Sequence, residues 1–109
     1  MTYIIAEAGS CGDALLPQML CMIDDAKRSG ADAVKFQWTS NPTLMSLQRG
    51  KAFENGYVEV YGKYLQWPSW WHSVLALHAK DVGVDYLCTV YLDDDIAIVA
   101  DHVSRFKGS

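Results

Sequence analysis

The feature that most constrains this chain is a recurrence of short apolar runs that end in polar side chains. The runs are Tyr3-Ile4-Ile5-Ala6, Ala33-Val34, Asp85-Tyr86-Leu87-Cys88 and Arg105-Phe106. At or near their C-terminal ends they deliver Glu7, then Lys35 and Gln37, then Thr89, then Lys107. Helix-like stretches lie between them. Short buried strands alternating with helices form parallel sheets, and ligands of such folds sit outside the carboxyl ends of the strands. A charge inside a buried strand is costly unless something pairs with it. Lys35, flanked by Val34 and Phe36, therefore needs a partner, and an anionic ligand is a suitable one.

The bulk properties narrow the partners. At 109 residues the chain is long enough for one small domain with a modest core. A net charge of −4 argues against a nucleic-acid partner, which calls for a basic surface. No apolar run approaches the roughly 20 residues of a membrane span. The N-terminus enters a strand without a basic segment followed by an apolar one, so no secretion signal is read and a cytoplasmic location is expected. Cys11, Cys21 and Cys88 are odd in number and widely spaced, which suits reduced thiols rather than disulfides or a zinc motif.

The order of elements follows from periodicity. Residues 3–7 read as a strand. Residues 14–29 read as a helix, with Leu15, Met19, Met22, Ile23 and Ala26 on one face. Asp13 is its expected N-cap, Pro17 falls in the tolerant first turn, and Gly30 ends it. Residues 33–37 are the second strand. A long connection runs from Trp38 to Gln66, with a short helix expected around Tyr57–Leu65. A helix from Pro68 to about Val82 presents Trp71, Leu75 and His78 on one face and stops at Gly83. Residues 85–92 are the third strand, Asp93–Ala100 a helix with acidic residues in its first turn, and 104–107 the fourth strand. The expected fold is α/β, a partial (β/α) barrel of about four parallel strands with three connecting helices, occupying residues 1–109 as one domain. A complete barrel takes about 250 residues, so a piece of a longer barrel is expected. A complete flavodoxin-like sheet is the alternative.

Several side chains are candidates for chemistry. Lys35 and Lys107 can each neutralise an anion as point charges. Gln37 lies two residues beyond Lys35, on the same face of the strand. Glu7 can orient a hydroxyl, move a proton or pair with Lys35. Thr89 can donate a hydroxyl, and Ser109 follows Lys107 at the end of the chain. Each has a plainer alternative: a surface lysine, an internal ion pair, a strand-forming threonine, a solvated C-terminus. His72, His78 and His102 lack the spacing of metal ligands and read as satisfied or solvent-facing. Trp67, Trp70 and Trp71 read as packing on the outside of the sheet. Cys11 and Cys88 have no basic neighbour in sequence that would make them nucleophiles.

Taken together, Tyr3 through Ser10, Gly12-Asp13, Ala26-Lys27 and Gly30-Ala31-Asp32-Ala33-Val34-Lys35-Phe36-Gln37 resemble the opening of the sialic acid synthase family. Tyr86-Leu87-Cys88-Thr89 resembles that family's third strand and Arg105-Phe106-Lys107 its fourth. The turn Ser10-Cys11-Gly12 departs from the family's Asn-His-Asn-Gly. The resemblance implies an enzyme that condenses phosphoenolpyruvate with an N-acylated hexosamine, releasing phosphate. A divalent metal, manganese or magnesium, polarises the sugar aldehyde while lysines neutralise the phosphate and carboxylate. It further implies a homodimer, with metal ligands in the later half of the barrel. By motif, Glu7, Lys35 and Lys107 take catalytic roles, and Gln37, Thr89 and Ser109 bind substrate. Two other readings stay open: a non-catalytic module for an anion or sugar phosphate, completed by self-association, and a related 3-deoxy-sugar-acid synthase or aldolase.

Overall fold

The computed structural model describes residues 2–9, 15–48, 62–63, 65–103 and 107–108. It is an α/β fold of parallel strands with helices between them. The elements are β1 (Ile5–Gly9), α1 (Leu16–Arg28), β2 (Ala33–Trp38), α2 (Pro42–Gln48), α3 (Trp71–Val82), β3 (Asp85–Val90), α4 (Asp93–Ala100) and β4 (Lys107–Gly108). Among the described residues the strands form one sheet in the order β1-β2-β3-β4, each pair parallel. β4 contributes only Lys107 and Gly108. In a flavodoxin-like sheet the first strand lies between the second and third. Here β2 lies between β1 and β3, which removes that alternative.

The core lies between the sheet and its helices. Alternate residues of the strands point to one side. Val34, Phe36 and Trp38 of β2 and Tyr86, Cys88 and Val90 of β3 join Met19 and Ile23 of α1, Leu75 and Ala79 of α3, and Val99 of α4 in one buried cluster. Burying each large apolar side chain contributes roughly 1.5–3 kcal/mol. Trp38 satisfies its indole by donating from Nε1 to the Trp67 carbonyl at 2.8 Å. At the amino ends of the strands, Ile4 N–H donates to the Asp32 carboxylate at 2.7 Å and Asp85 N–H to the Asp32 carbonyl at 2.9 Å.

Helix α1 begins at Leu16, with Leu15 rather than the expected Asp13 at the N-cap position and no side-chain cap from it; Asp13 lies outside the described residues. Pro17 sits in the first turn, and Met19, Ile23 and Ala26 face the core. Both α1 and α3 end at glycines in left-handed backbone, Gly30 (φ 84°) and Gly83 (φ 92°), where a Cβ would be strained. Strand β1 runs to Gly9, which places Glu7 at its middle rather than its end. Strand β3 ends at Val90, two residues earlier than expected.

The connection after β2 contains a helix that the sequence reading lacks. Asn41-Pro42 looks like a turn. In the structure Asn41 caps α2, its Oδ1 accepting the Leu44 N–H at 3.0 Å, and Pro42 takes the first helical position. The helix expected around Tyr57–Leu65 lies mostly outside the described residues, although residues 62–63 are helical. Residues 104–106 of the expected fourth strand also lie outside them. Helix α3 starts at Trp71, and His72, Leu75 and Ala79 are its buried residues, so its inward face is turned from the expected Trp71–Leu75–His78 stripe. Of the three tryptophans, Trp67 is buried, Trp71 half-buried and Trp70 exposed.

Candidate functional site

On the side of the sheet away from the helices, the parallel register sorts the predicted residues into two rows. Glu7 is paired with Lys35, and Lys35 with Leu87. Gln37 is paired with Thr89, and Thr89 with Lys107. Neighbouring strands lie about 4.8 Å apart, and two residues along a strand span roughly 6.6 Å. Residues far apart in sequence are thereby neighbours on one small patch, with the first row in mid-strand and the second near the carboxyl ends of β2 and β3. Leu87 and Ala33, on the same face, are fully buried.

The first row carries an ion pair. Lys35 Nζ lies 2.7 Å from Glu7 Oε1. The lysine side chain is 20% exposed and the glutamate 56%, so the pair stands at the edge of solvent. An ion pair this open contributes about 0–1 kcal/mol. Exchanging Glu7 for a ligand anion at the lysine therefore costs little, and the ammonium has two further N–H donors. The internal partner that the sequence left open for Lys35 is thus present, in an accessible place.

The second row holds Gln37 and Thr89, both half-buried. Lys107 joins it by its backbone register with Thr89. Ser109 lies outside the described residues, as do Cys11 and the Ser10-Cys11-Gly12 turn.

The remaining candidates fall elsewhere. His78 pairs with Asp24 through Nε2 at 2.7 Å and ties α3 to α1. His72 is fully buried on the helix side. Its Nδ1 meets the Tyr86 hydroxyl at 2.7 Å, while Nε2 has no hydrogen-bond partner among the described residues. It is therefore neither fully satisfied nor solvent-facing, contrary to expectation. Burial, and then the neighbouring His102, push its pKa down to about 3. Burial, followed by the charge of Asp95, raises the Cys88 thiol well above its ordinary value, which leaves it a poor nucleophile. A groove of about 240 Å³ between β1 and α1, lined by Ala6, Ala8, Met22, Ala26 and Val34 together with the polar Glu7, Asp25 and Ser29, lies at the sheet edge, away from the second row.

Sequence reasoning missed one feature near the patch. Asp95, in the first turn of α4, is fully buried. It accepts from Ser40 Oγ at 2.5 Å and from Ser40 N–H at 3.0 Å. The run Asp93-Asp94-Asp95 reads as a helix start and nothing more; only the pairing of β2 with β3 brings Ser40 to it.

This arrangement defines an α/β protein whose polar groups gather at the carboxyl ends of parallel strands, where such folds bind small ligands. Residues 22–108 match the NeuB family, and the chain belongs to it. It is 33% identical over 97 residues to the spore coat polysaccharide biosynthesis protein SpsE of Bacillus subtilis (strain 168), covering 81% of this chain and 25% of that protein. It is 31% identical over 90 residues to the N-acetylneuraminate-9-phosphate synthase of Drosophila melanogaster, covering 77% of this chain and 24% of that protein. The chain thus spans about a quarter of the length of these relatives. Its fold superposes on the N-acetylneuraminic acid (sialic acid) synthetase of Leptospira borgpetersenii with a TM-score of 0.79 at 21% identity, over 95% of this chain and 34% of that one. The crystal structure of B. subtilis SpsE gives 0.68 at 28% identity, over 97% and 28%. Among the described residues, no helix is long and apolar enough to cross a membrane.

Proposed function

We propose that the chain forms the N-terminal part of the catalytic barrel of a nonulosonic (sialic) acid synthase, which condenses phosphoenolpyruvate with an N-acylated hexosamine. The observation that supports this most is the pairing of Glu7 with Lys35 and of Gln37 with Thr89 and Lys107, in a chain of the NeuB family. The sequential strand order is that of a barrel wall, with β1 to β4 as its first four strands.

In this reading Lys35, Thr89 and Lys107 hold the phosphate and carboxylate of phosphoenolpyruvate. The two rows lie roughly 6.6 Å apart along the strands, close enough for one small molecule carrying both a phosphate and a carboxylate to touch both. Glu7 and Gln37 face the sugar, the carboxylate accepting from a hydroxyl and the amide bonding to another. Ser109 belongs to the same substrate set by motif. The divalent metal implied by the resemblance finds no fit among the described residues, where no three of His, Cys, Asp or Glu converge. None of the roles given to this chain passes through a metal.

Calorimetric titration of phosphoenolpyruvate tests the reading. The chain is expected to bind it and the Lys35→Ala variant to lose that binding; equal heats from both would refute the assignment of Lys35. Phosphate release from phosphoenolpyruvate with N-acetylmannosamine and manganese is expected to be absent, since the site is incomplete; clear turnover by this chain would show that it needs no further strands.

A second reading is favoured by the edge strand. Among the described residues nothing pairs with β1 on its outer side, and a groove of mixed apolar and polar lining runs beside it. Open strand edges invite pairing, which suits a non-catalytic anion-binding module completed by self-association. Sedimentation decides: a monomer with a flat response to phosphoenolpyruvate removes this reading.

A further inference from the structure

We propose that Ser40 and Asp95 form a positioning clamp that holds Gln37 and Thr89 as one binding row; as far as it concerns ligand, this rests on the reading above. Ser40 follows β2 and Asp95 opens α4 after β3, so their contact bridges the connections at the carboxyl ends of the two central strands. With the register pair Gln37–Thr89 it closes a ring: strand end to strand end through the sheet, and connection to connection through the clamp.

Ser40 is a junction in every polar group it has. Its hydroxyl and its N–H both donate to the Asp95 carboxylate, and its carbonyl accepts from Gln66 Nε2 at 3.2 Å. On either side, Thr39 N–H donates to the Leu65 carbonyl at 3.0 Å and Asn41 N–H to Thr39 Oγ1 at 3.3 Å. The chain leaving β2, the chain returning through Leu65 and Gln66, and the start of α4 are thus fastened at one residue.

The cost of the arrangement points to geometry as its purpose. A fully buried carboxylate must be compensated by hydrogen bonds and nearby dipoles. Asp95 obtains both, from Ser40 and from the N-terminal turn of α4. An apolar pair of similar shape stabilises such a junction about as well. Two directional bonds to one residue fix a position, which apolar packing does less sharply.

The test compares Ser40→Ala with Ile23→Ala, a core change in α1, which takes no part in the clamp. Phosphoenolpyruvate affinity and thermal midpoint are measured on the full 109-residue chain and both variants. Ser40→Ala removes the hydroxyl bond and keeps the backbone one, and is expected to weaken binding roughly three- to tenfold, the range of one lost hydrogen bond. Ile23→Ala is expected to lower the midpoint more while leaving affinity within about twofold. Unchanged affinity in Ser40→Ala, or an equal loss in Ile23→Ala, overturns the clamp. If the unsubstituted chain binds no phosphoenolpyruvate, the ligand reading fails and amide hydrogen exchange decides the clamp alone. Ser40→Ala should then speed exchange at Gln37 and Thr89 relative to the amides of α1. A uniform change, or none, sinks the proposal.

Discussion

The two faces of the sheet are made by alternate residues of the same strands, yet they obey opposite rules. On the helix side Val34, Phe36, Trp38, Tyr86, Cys88 and Val90 are buried in a continuous apolar cluster. On the other side the intervening positions hold Glu7, Lys35, Gln37 and Thr89, with an ion pair at the edge of solvent. A shift of one residue separates side chains that hold the fold from the polar side chains to which a ligand is assigned in the proposed function. A strand slipped by one position would exchange both sets at once, so register serves stability and site geometry together.

The comparison breaks first at the largest expected effect. Phe36→Ala should cost about 3–5 kcal/mol in chemical denaturation, because it empties a fully buried ring position between β2 and the helices. That is a large share of the roughly 5–15 kcal/mol available to a domain. A loss under about 1 kcal/mol would mean that the helix face is not the structural one.

The next effect comes from acid and is spread over several pH units. His72 is held neutral in the fold, with its pKa near 3 against 6.5 for the ordinary side chain. Below pH 6.5 the unfolded chain takes up a proton that the folded chain refuses. The stability contributed by the neutral ring is thus complete above that pH and is lost as pH falls toward 3. The slope from this group approaches about 1.4 kcal/mol per pH unit. His72→Asn should flatten that part of the stability profile; an unchanged slope would remove His72 as its source.

The smallest effect belongs to the open face. Lys35→Met should change stability by less than about 1 kcal/mol, since its ion pair is exposed to water. If it costs as much as Phe36→Ala in the same denaturation experiment, the division between the faces is lost.

These faces were legible in the sequence because both strand alternation and helix spacing are local. Lys35 with Gln37, and Met19 with Ile23 and Ala26, follow from periodicity alone. Glu7 beside Lys35 needed the register of β1 on β2, but the motif order pointed to it. Helix α2 was hidden because Asn-Pro serves equally as a turn and as a helix start, and α2 has only 7 residues to signal its period. The buried side of α3 was misread because the aromatic Trp71 outweighed the smaller Ala79. Ser40 and Asp95 were out of reach, since a contact across 55 positions exists only once the two strands have paired.

The sequential strand order also carries a consequence for how the chain assembles. Each new strand docks beside the one made just before it, so the wall can grow in the direction of synthesis. β2 reaches β3 only after 46 intervening residues, from Thr39 to Val84, have been looped out. Closing a loop of that length is an entropic barrier that no local turn relieves. Docking of β3 on β2 is therefore expected to limit the refolding rate. Stopped-flow refolding of Leu87→Ala should be slower than that of Ile5→Ala at equal loss of stability, and equal rates would place the barrier elsewhere.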